Sequence, residues 1–213
     1  MKILLVVNLV IFISYFAEAL VCHKCDNPSG TTCLIYTNET CRPKIDRCFV
    51  TIMAQIIGQN ISYQSSRGCA KYFGSCVETS TMTMGIDKKM IRHSKCCTED
   101  HCNKEPIPII LPVSDVVNAN LATPAVNSTD IKGNGLECPA CMEKGNTCTS
   151  TGTVKCEGTQ DKCFEFYGGL SFGPPLQYWT MKGCTNEIVC ETCTRFYKTS
   201  FFLKGYNLTC SKN

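Results

Sequence analysis

Cys96-Cys97-Thr98-Glu99-Asp100-His101-Cys102-Asn103 is the stretch on which the reading of this chain turns. Two adjacent cysteines, a third after four residues and then an asparagine make a compact knot able to close the base of a small disulfide-built domain. Cysteines also stand at 22, 25, 33, 41, 48, 69 and 76, and from Cys22 to Cys96 successive cysteines are separated by 2, 7, 7, 6, 20, 6 and 19 residues. Downstream, Cys138, Cys141, Cys148, Cys156, Cys163, Cys184, Cys190 and Cys210 are separated by 2, 6, 7, 6, 20, 5 and 19. Spacings that agree to within one residue all along the series mark an internal duplication. The chain therefore reads as two domains of one fold.

Each domain is small, and a domain of such size buries too little apolar surface to offset its chain entropy comfortably. Cysteine supplies the difference: there are 19 in 213 residues, a density that marks a disulfide scaffold. A reducing cytosol would keep those thiols free, so the count points to an oxidising compartment. The N-terminus agrees with it. Met1-Lys2 is a short basic start, Ile3 to Phe16 is almost wholly apolar, and Ala17-Glu18-Ala19 is a small-x-small cleavage site, which predicts a signal peptide over residues 1–19. The apolar run is too short for a membrane span. Tyr206-Asn207-Leu208-Thr209-Cys210-Ser211-Lys212-Asn213 lacks the spacer and apolar tail of a lipid-anchor signal. The expectation is a secreted protein with no membrane anchor.

With 21 basic and 18 acidic side chains the formal net charge is +3. The nearest approach to a basic cluster, Lys88-Lys89-Met90-Ile91-Arg92-His93, reads as a solvated strand edge, so no nucleic-acid partner is expected.

Turn-forming residues such as Asp26-Asn27-Pro28-Ser29-Gly30 make Cys22 to Cys41 a short first finger. Cys48 to Ile56 is strongly β-favouring and can return through Ile61 to Ser65 across Gly58-Gln59-Asn60. A third finger runs out through Val77 to Met82 and back through Met90 to Lys95, presenting Cys96 and Cys97 at the base. Residues 104–135 hold no cysteine but carry Pro106, Pro108, Pro112 and Pro124, and so read as an extended linker. Its apolar run Ile107-Pro108-Ile109-Ile110-Leu111-Pro112-Val113 is expected to dock on one of the domains. The domains themselves are placed at 20–103 and 136–213.

The cysteine order of residues 22–103, opening with Leu20-Val21-Cys22-His23-Lys24-Cys25 and closing with the knot, resembles the three-finger domain of the lymphocyte-antigen-6/urokinase-receptor family. The second domain resembles a depleted copy, and its Glu157 to Cys163 and Met181-Lys182-Gly183-Cys184 segments are similar to the second domain of gamma-type phospholipase A2 inhibitors. The fold class implied is all-β and disulfide-rich, two tandem three-finger domains. For the first domain the resemblance implies the pairing Cys22–Cys48, Cys25–Cys33, Cys41–Cys69, Cys76–Cys96 and Cys97–Cys102. By analogy the second should pair Cys138–Cys163, Cys141–Cys148, Cys156–Cys184 and Cys190–Cys210. Cys193 is left over, either as a free thiol or as an intermolecular bridge. The resemblance also implies that Asn103 ties backbone together at the base.

Four glycosylation sequons begin at Asn38, Asn60, Asn127 and Asn207. Catalysis would need a base near a nucleophile, or a metal with an open position. Of the three histidines, His23, His93 and His101, two sit beside cysteines expected to be bridged and read as solvated side chains at the domain base. Cys22-His23-Lys24-Cys25 and Cys138-Pro139-Ala140-Cys141 have zinc or redox spacing, but an oxidised, strand-rich chain makes them structural. No cofactor or metal is expected, and no enzyme.

What remains is recognition by exposed side chains held out on a rigid cystine base. The aromatic set is concentrated in the second domain: Phe164, Phe166 and Tyr167, then Leu176, Tyr178 and Trp179, the tip Ser171-Phe172-Gly173-Pro174-Pro175, and Phe201, Phe202 and Leu203. Aromatic residues dominate contact hot spots, and Trp179 and Phe172 are the first expected to be exposed. Two functions fit. One is an inhibitor of secreted phospholipase A2, for which the resemblance implies a tendency to homo-oligomers. The other is a secreted receptor-like or pheromone-like signalling protein that binds another extracellular protein.

Overall fold

The computed structural model describes residues 19–27, 29–70, 76, 78–112, 126–129, 132–149, 152–170, 177–196 and 203–211, with backbone alone at 109–112, 126–129, 170, 192–196 and 203–206. β1 (Val21–Asn27) and β2 (Thr37–Thr40) form the first finger, β3 (Cys48–Ile57) and β4 (Asn60–Cys69) the second, β5 (Thr79–Gly85) and β6 (Lys88–Cys97) the third. β3 is the longest run of β-branched and apolar residues in the domain, and it takes the central place between β4 and β6. Gly58 opens the two-residue turn from β3 to β4 with φ +61°, a backbone conformation glycine adopts without strain. Bridges join Cys22–Cys48, Cys25–Cys33, Cys41–Cys69, Cys76–Cys96 and Cys97–Cys102.

The knot holds the base through Asn103. Its Oδ1 accepts from the His23 N–H at 2.9 Å, and its Nδ2 donates to the carbonyls of His23 at 2.8 Å and Phe49 at 2.9 Å. Asp100 adds a bond, accepting from the Val21 N–H at 2.7 Å. Asn103→Ala would leave three buried backbone groups without these partners. At about 1 kcal/mol for each bond, with a further penalty for buried groups left unmet, urea unfolding should show a loss of about 3 kcal/mol.

The linker is less irregular than its prolines imply. β7 (Ile109–Pro112) and β8 (Val126–Thr129) pair in parallel, Ile109 opposite Val126. Ile107, just before β7, packs on the first domain against the cluster Ile52, Ala54, Ile56 and Ile91.

The second domain contains β9 (Gly133–Lys144), β10 (Gly152–Glu157), β11 (Lys162–Leu170), β12 (Gln177–Thr185), α1 (Glu187–Phe196) and β13 (Leu203–Ser211). Its bridges are Cys138–Cys163, Cys141–Cys148, Cys156–Cys184 and Cys190–Cys210. In each domain two bridges lie side by side: the Sγ atoms of Cys22 and Cys41 are 3.3 Å apart, those of Cys138 and Cys156 3.4 Å. The sulfur trios Cys22, Cys41, Cys69 and Cys138, Cys156, Cys184 are thus packed cystines. Sulfurs oxidised in this way hold no metal.

The domains are not beads on a string. β12 pairs with β11 along one edge, while its other edge pairs first with β9 and then with β5, Cys184 opposite Thr83 and Thr185 opposite Met82. One eleven-stranded sheet therefore runs through both domains. Behind this seam lies a single apolar core, with Met53, Met82, Met84 and Met90 from the first domain meeting Met142, Phe164, Phe166, Met181, Val189 and Leu208 from the second. Six of the chain's seven methionines are in it. An unbranched thioether side chain suits an irregular gap between two preformed sheets.

Polar groups fix the register of the seam. Asn186 Oδ1 accepts from the Thr81 N–H at 2.7 Å, Gln160 Nε2 donates to Thr83 Oγ1 at 2.7 Å, and Thr185 Oγ1 donates to the Thr81 carbonyl at 2.8 Å. Lys89, almost fully buried, reaches Glu157 across the seam at 3.0 Å. Among the described residues no helix is long and apolar enough to cross a membrane.

Candidate protein-binding surface

Alternation along β11 and β12 sorts the aromatic residues onto two faces. Phe164 and Phe166 point inward with Met181 and Leu208, and Phe166 is only 1% exposed. Tyr167 and Tyr178 point outward. Their rings lie 6.2 Å apart at 30°, and a Glu165–Lys182 ion pair of 3.0 Å stands on the same face. Tyr178 is 38% exposed. The outer face of this hairpin is therefore an amphipathic patch, two phenols beside a charge pair, on a strand that also anchors the seam.

Trp179, expected at the surface, is half-buried. It shares the inward face and packs against the common core, and Lys144 Nζ lies 5.5 Å from the centre of its ring. Its position opposite Gly168 leaves room for the indole to lie over the sheet. Phe172, the rest of the tip, Leu176, Phe201 and Phe202 lie outside the described residues, as does the side chain of Leu203. The structure thus brings together Tyr167 and Tyr178 from the expected set, and it takes Phe164 and Phe166 into the core.

Asn38, Asn60 and Asn207 are exposed, and Asn127 lies on β8 with its side chain outside the described residues. Asn207 pairs directly with Tyr167, and directly paired residues share a face. A glycan there would stand over the tyrosine patch. Cys193 falls within α1, and its side chain also lies outside the described residues.

The first domain shows a second exposed set that sequence reasoning passed over: Leu34, Ile35 and Tyr36 in the first finger, and Ile57 and Ile86 at the tips of the second and third. His23, expected to be solvated, is buried. Tyr36 folds back with its ring 4.3 Å from the imidazole, and the ring of His101 lies 4.9 Å away. Burial first, and then the nearby charge of His101, hold His23 below its usual pKa. His93 shares a hydrogen bond of 3.1 Å with its cross-strand partner Thr79.

The helix α1 was also missed, although Asn186-Glu187 is a recognisable start. Asparagine favours the N-cap and an acidic residue the first turn. Here the Asn186 carboxamide is turned to the seam, bonding Thr81 and also donating to Thr159 Oγ1 at 2.8 Å.

The u-PAR/Ly-6 domain model matches this chain twice, over residues 18–105 and 134–213. Phospholipase A2 inhibitor NAI from Notechis ater is 24% identical over 163 residues, covering 76% of this chain and 72% of that protein. A gamma-type phospholipase A2 inhibitor chain from Elaphe climacophora is 25% identical over 162 residues, covering 75% of this chain and 64% of that protein. The chain thus spans somewhat less than two thirds of the Elaphe protein. Among solved structures, mouse TEX101 aligns over 91% of this chain and 98% of its own, with 19% identity and a TM-score of 0.39.

Proposed function

Because the chain belongs to the u-PAR/Ly-6 domain family, with two tandem three-finger domains, we propose that it is a secreted, non-enzymatic binding protein that inhibits a secreted phospholipase A2. The observation that carries this reading is the similarity to phospholipase A2 inhibitors over three quarters of the chain. Nine disulfides among the described residues support an oxidising, extracellular setting. In this reading residues 1–19 are removed as a signal peptide, and the expected linker 104–135 gives up its last three residues to β9 of the second domain.

The contact is assigned to the outer face of β11 and β12. Tyr167 and Tyr178 are large, stiff and amphipathic, properties that suit an interface anchor. They are supported from behind by the shared core, so little order has to be gained on binding. Covering the enzyme's apolar lipid-entry face would block its docking on a membrane without any chemistry by the inhibitor.

The test is titration of the purified, oxidised protein against a panel of secreted phospholipases A2 on anionic vesicles. Dose-dependent inhibition is expected. Tyr167→Ala combined with Tyr178→Ala should weaken it by about 100-fold, at about 1–2 kcal/mol for each anchor, with thermal stability little changed because both side chains lie outside the core. Removing the Asn207 sequon should strengthen inhibition if that site carries sugar. Failure of the folded protein to inhibit any member would sink the proposal.

A further inference from the structure

The base of the first finger gathers cationic and polar groups that the tyrosine patch does not use. β1 and β2 pair His23 with Asn38, and β1 and β4 pair Cys25 with Arg67. Residues two apart on a strand share a face, and so do directly paired residues. His23, Asn38 and Arg67 therefore stand on one face, which Tyr36 covers and His101 flanks.

Both central groups are buried, Arg67 at 5% exposed and His23 at 9%. Arg67 donates through Nη1 to the Lys104 carbonyl. Its Nε has no hydrogen-bond partner among the described residues, and neither has Nδ1 of His23. A buried polar group left unmet is costly, and more so when it is charged. Positive groups bear on His23 from His101, Arg67 and Lys104, while the Asn38 side chain hydrogen-bonds its ring and Tyr36 and then Glu105 act in the opposite sense on Arg67. Water could meet the two nitrogens, but it would not add to the compensation that Glu105 gives the buried guanidinium. An anion would answer both.

Beside this face stands an apolar lip. Leu34 and Ile35, immediately before Tyr36, are 90% and 87% exposed, and the Cys25–Cys33 bridge ties their loop to β1. Two bare aliphatic side chains next to a buried cation match a ligand with an anionic head and an apolar chain.

We propose that this face binds a monomeric anionic amphiphile, its carboxylate or phosphate head between Arg67 and His23 and its chain along Leu34 and Ile35. A head of either kind takes charge-assisted hydrogen bonds from a guanidinium. The chain removes from water the two side chains that the fold leaves bare. This inference does not rest on the phospholipase reading and is tested without any enzyme.

The chain has three histidines, so imidazole NMR signals of the full protein report the site directly, with His93 on the third finger as internal reference. The probes are inorganic phosphate, a lysophosphatidate below its critical micelle concentration, and lysophosphatidylcholine of the same chain length. Phosphate and lysophosphatidate are expected to shift His23 and His101 but not His93, and lysophosphatidate should bind at least 10-fold tighter than phosphate. Leu34→Ser with Ile35→Ser should remove that advantage and keep the phosphate response. Arg67→Lys should weaken both. If Arg67→Lys does not fold, the exposed double variant still decides the matter. Histidine signals unmoved by phosphate and lysophosphatidate would overturn the proposal, leaving a cluster closed by water. Equal binding of the zwitterionic lipid, or binding only to lipid in vesicles, would overturn it as well.

Discussion

Gly183→Ala is expected to part the two domains. A Cβ at this position would stand 1.8 Å from the carbonyl oxygen of Thr83, 2.8 Å from its carbonyl carbon and 3.0 Å from the Cα of Met84. These are backbone atoms of β5, so no side-chain rotation relieves the clash. The glycine is required because β12 and β5 meet at the point where β9 has left the edge of β12. Either the seam opens or both strands bend, at a cost of about 3 kcal/mol or more. Calorimetry should show one transition for the parent protein and two for Gly183→Ala, with β5 and β12 losing amide protection first. Gly152→Ala is the control. Nothing lies within 4 Å of its added Cβ, and stability should stay within about 1 kcal/mol of the parent. A single unchanged transition in Gly183→Ala would mean that the two domains do not depend on this contact.

Phe166→Ala is expected to cost about 3–5 kcal/mol, the usual loss for deleting a fully buried aromatic ring. The informative part is where the loss is felt. Phe166 belongs to the second domain, yet its cluster includes Met53, Met82, Met84 and Met90 of the first. Amide exchange should therefore quicken in β5 and β6 as well as in β11 and β13. Phe166→Leu, which keeps most of the volume, should cost less than half as much. If exchange changed in the second domain alone, the core would be two cores in contact and not one.

Much of this architecture was legible because cysteine spacing is a discrete signal. The knot and the paired series of spacings point to the three-finger frame whatever the intervening residues are, and Cys48 to Ile56 is strand-forming by composition. The seam was not legible in the same way. Met82, Met84 and Met181 look like ordinary strand residues, and Gly183 like an ordinary glycine, until the register sets Cys184 opposite Thr83. The sorting of Phe164, Phe166 and Tyr167 followed a period of two that was there to be read. That Trp179 would lie inward needed the β11–β12 register, which composition does not supply. His23 went wrong for a different reason. Its burial depends on Tyr36 folding back over it, a loop geometry that no local pattern encodes.

The continuity of the sheet through both domains changes the accounting for any partner that touches them together. Modules on a loose tether would each lose freedom when a partner gripped both, and the second grip would be only as favourable as the tether's reach allowed. Here the two domains share strands and a core, so their spacing and orientation exist before the encounter. A partner meets one inflexible plate, and the loss of translational and rotational freedom falls on a single event.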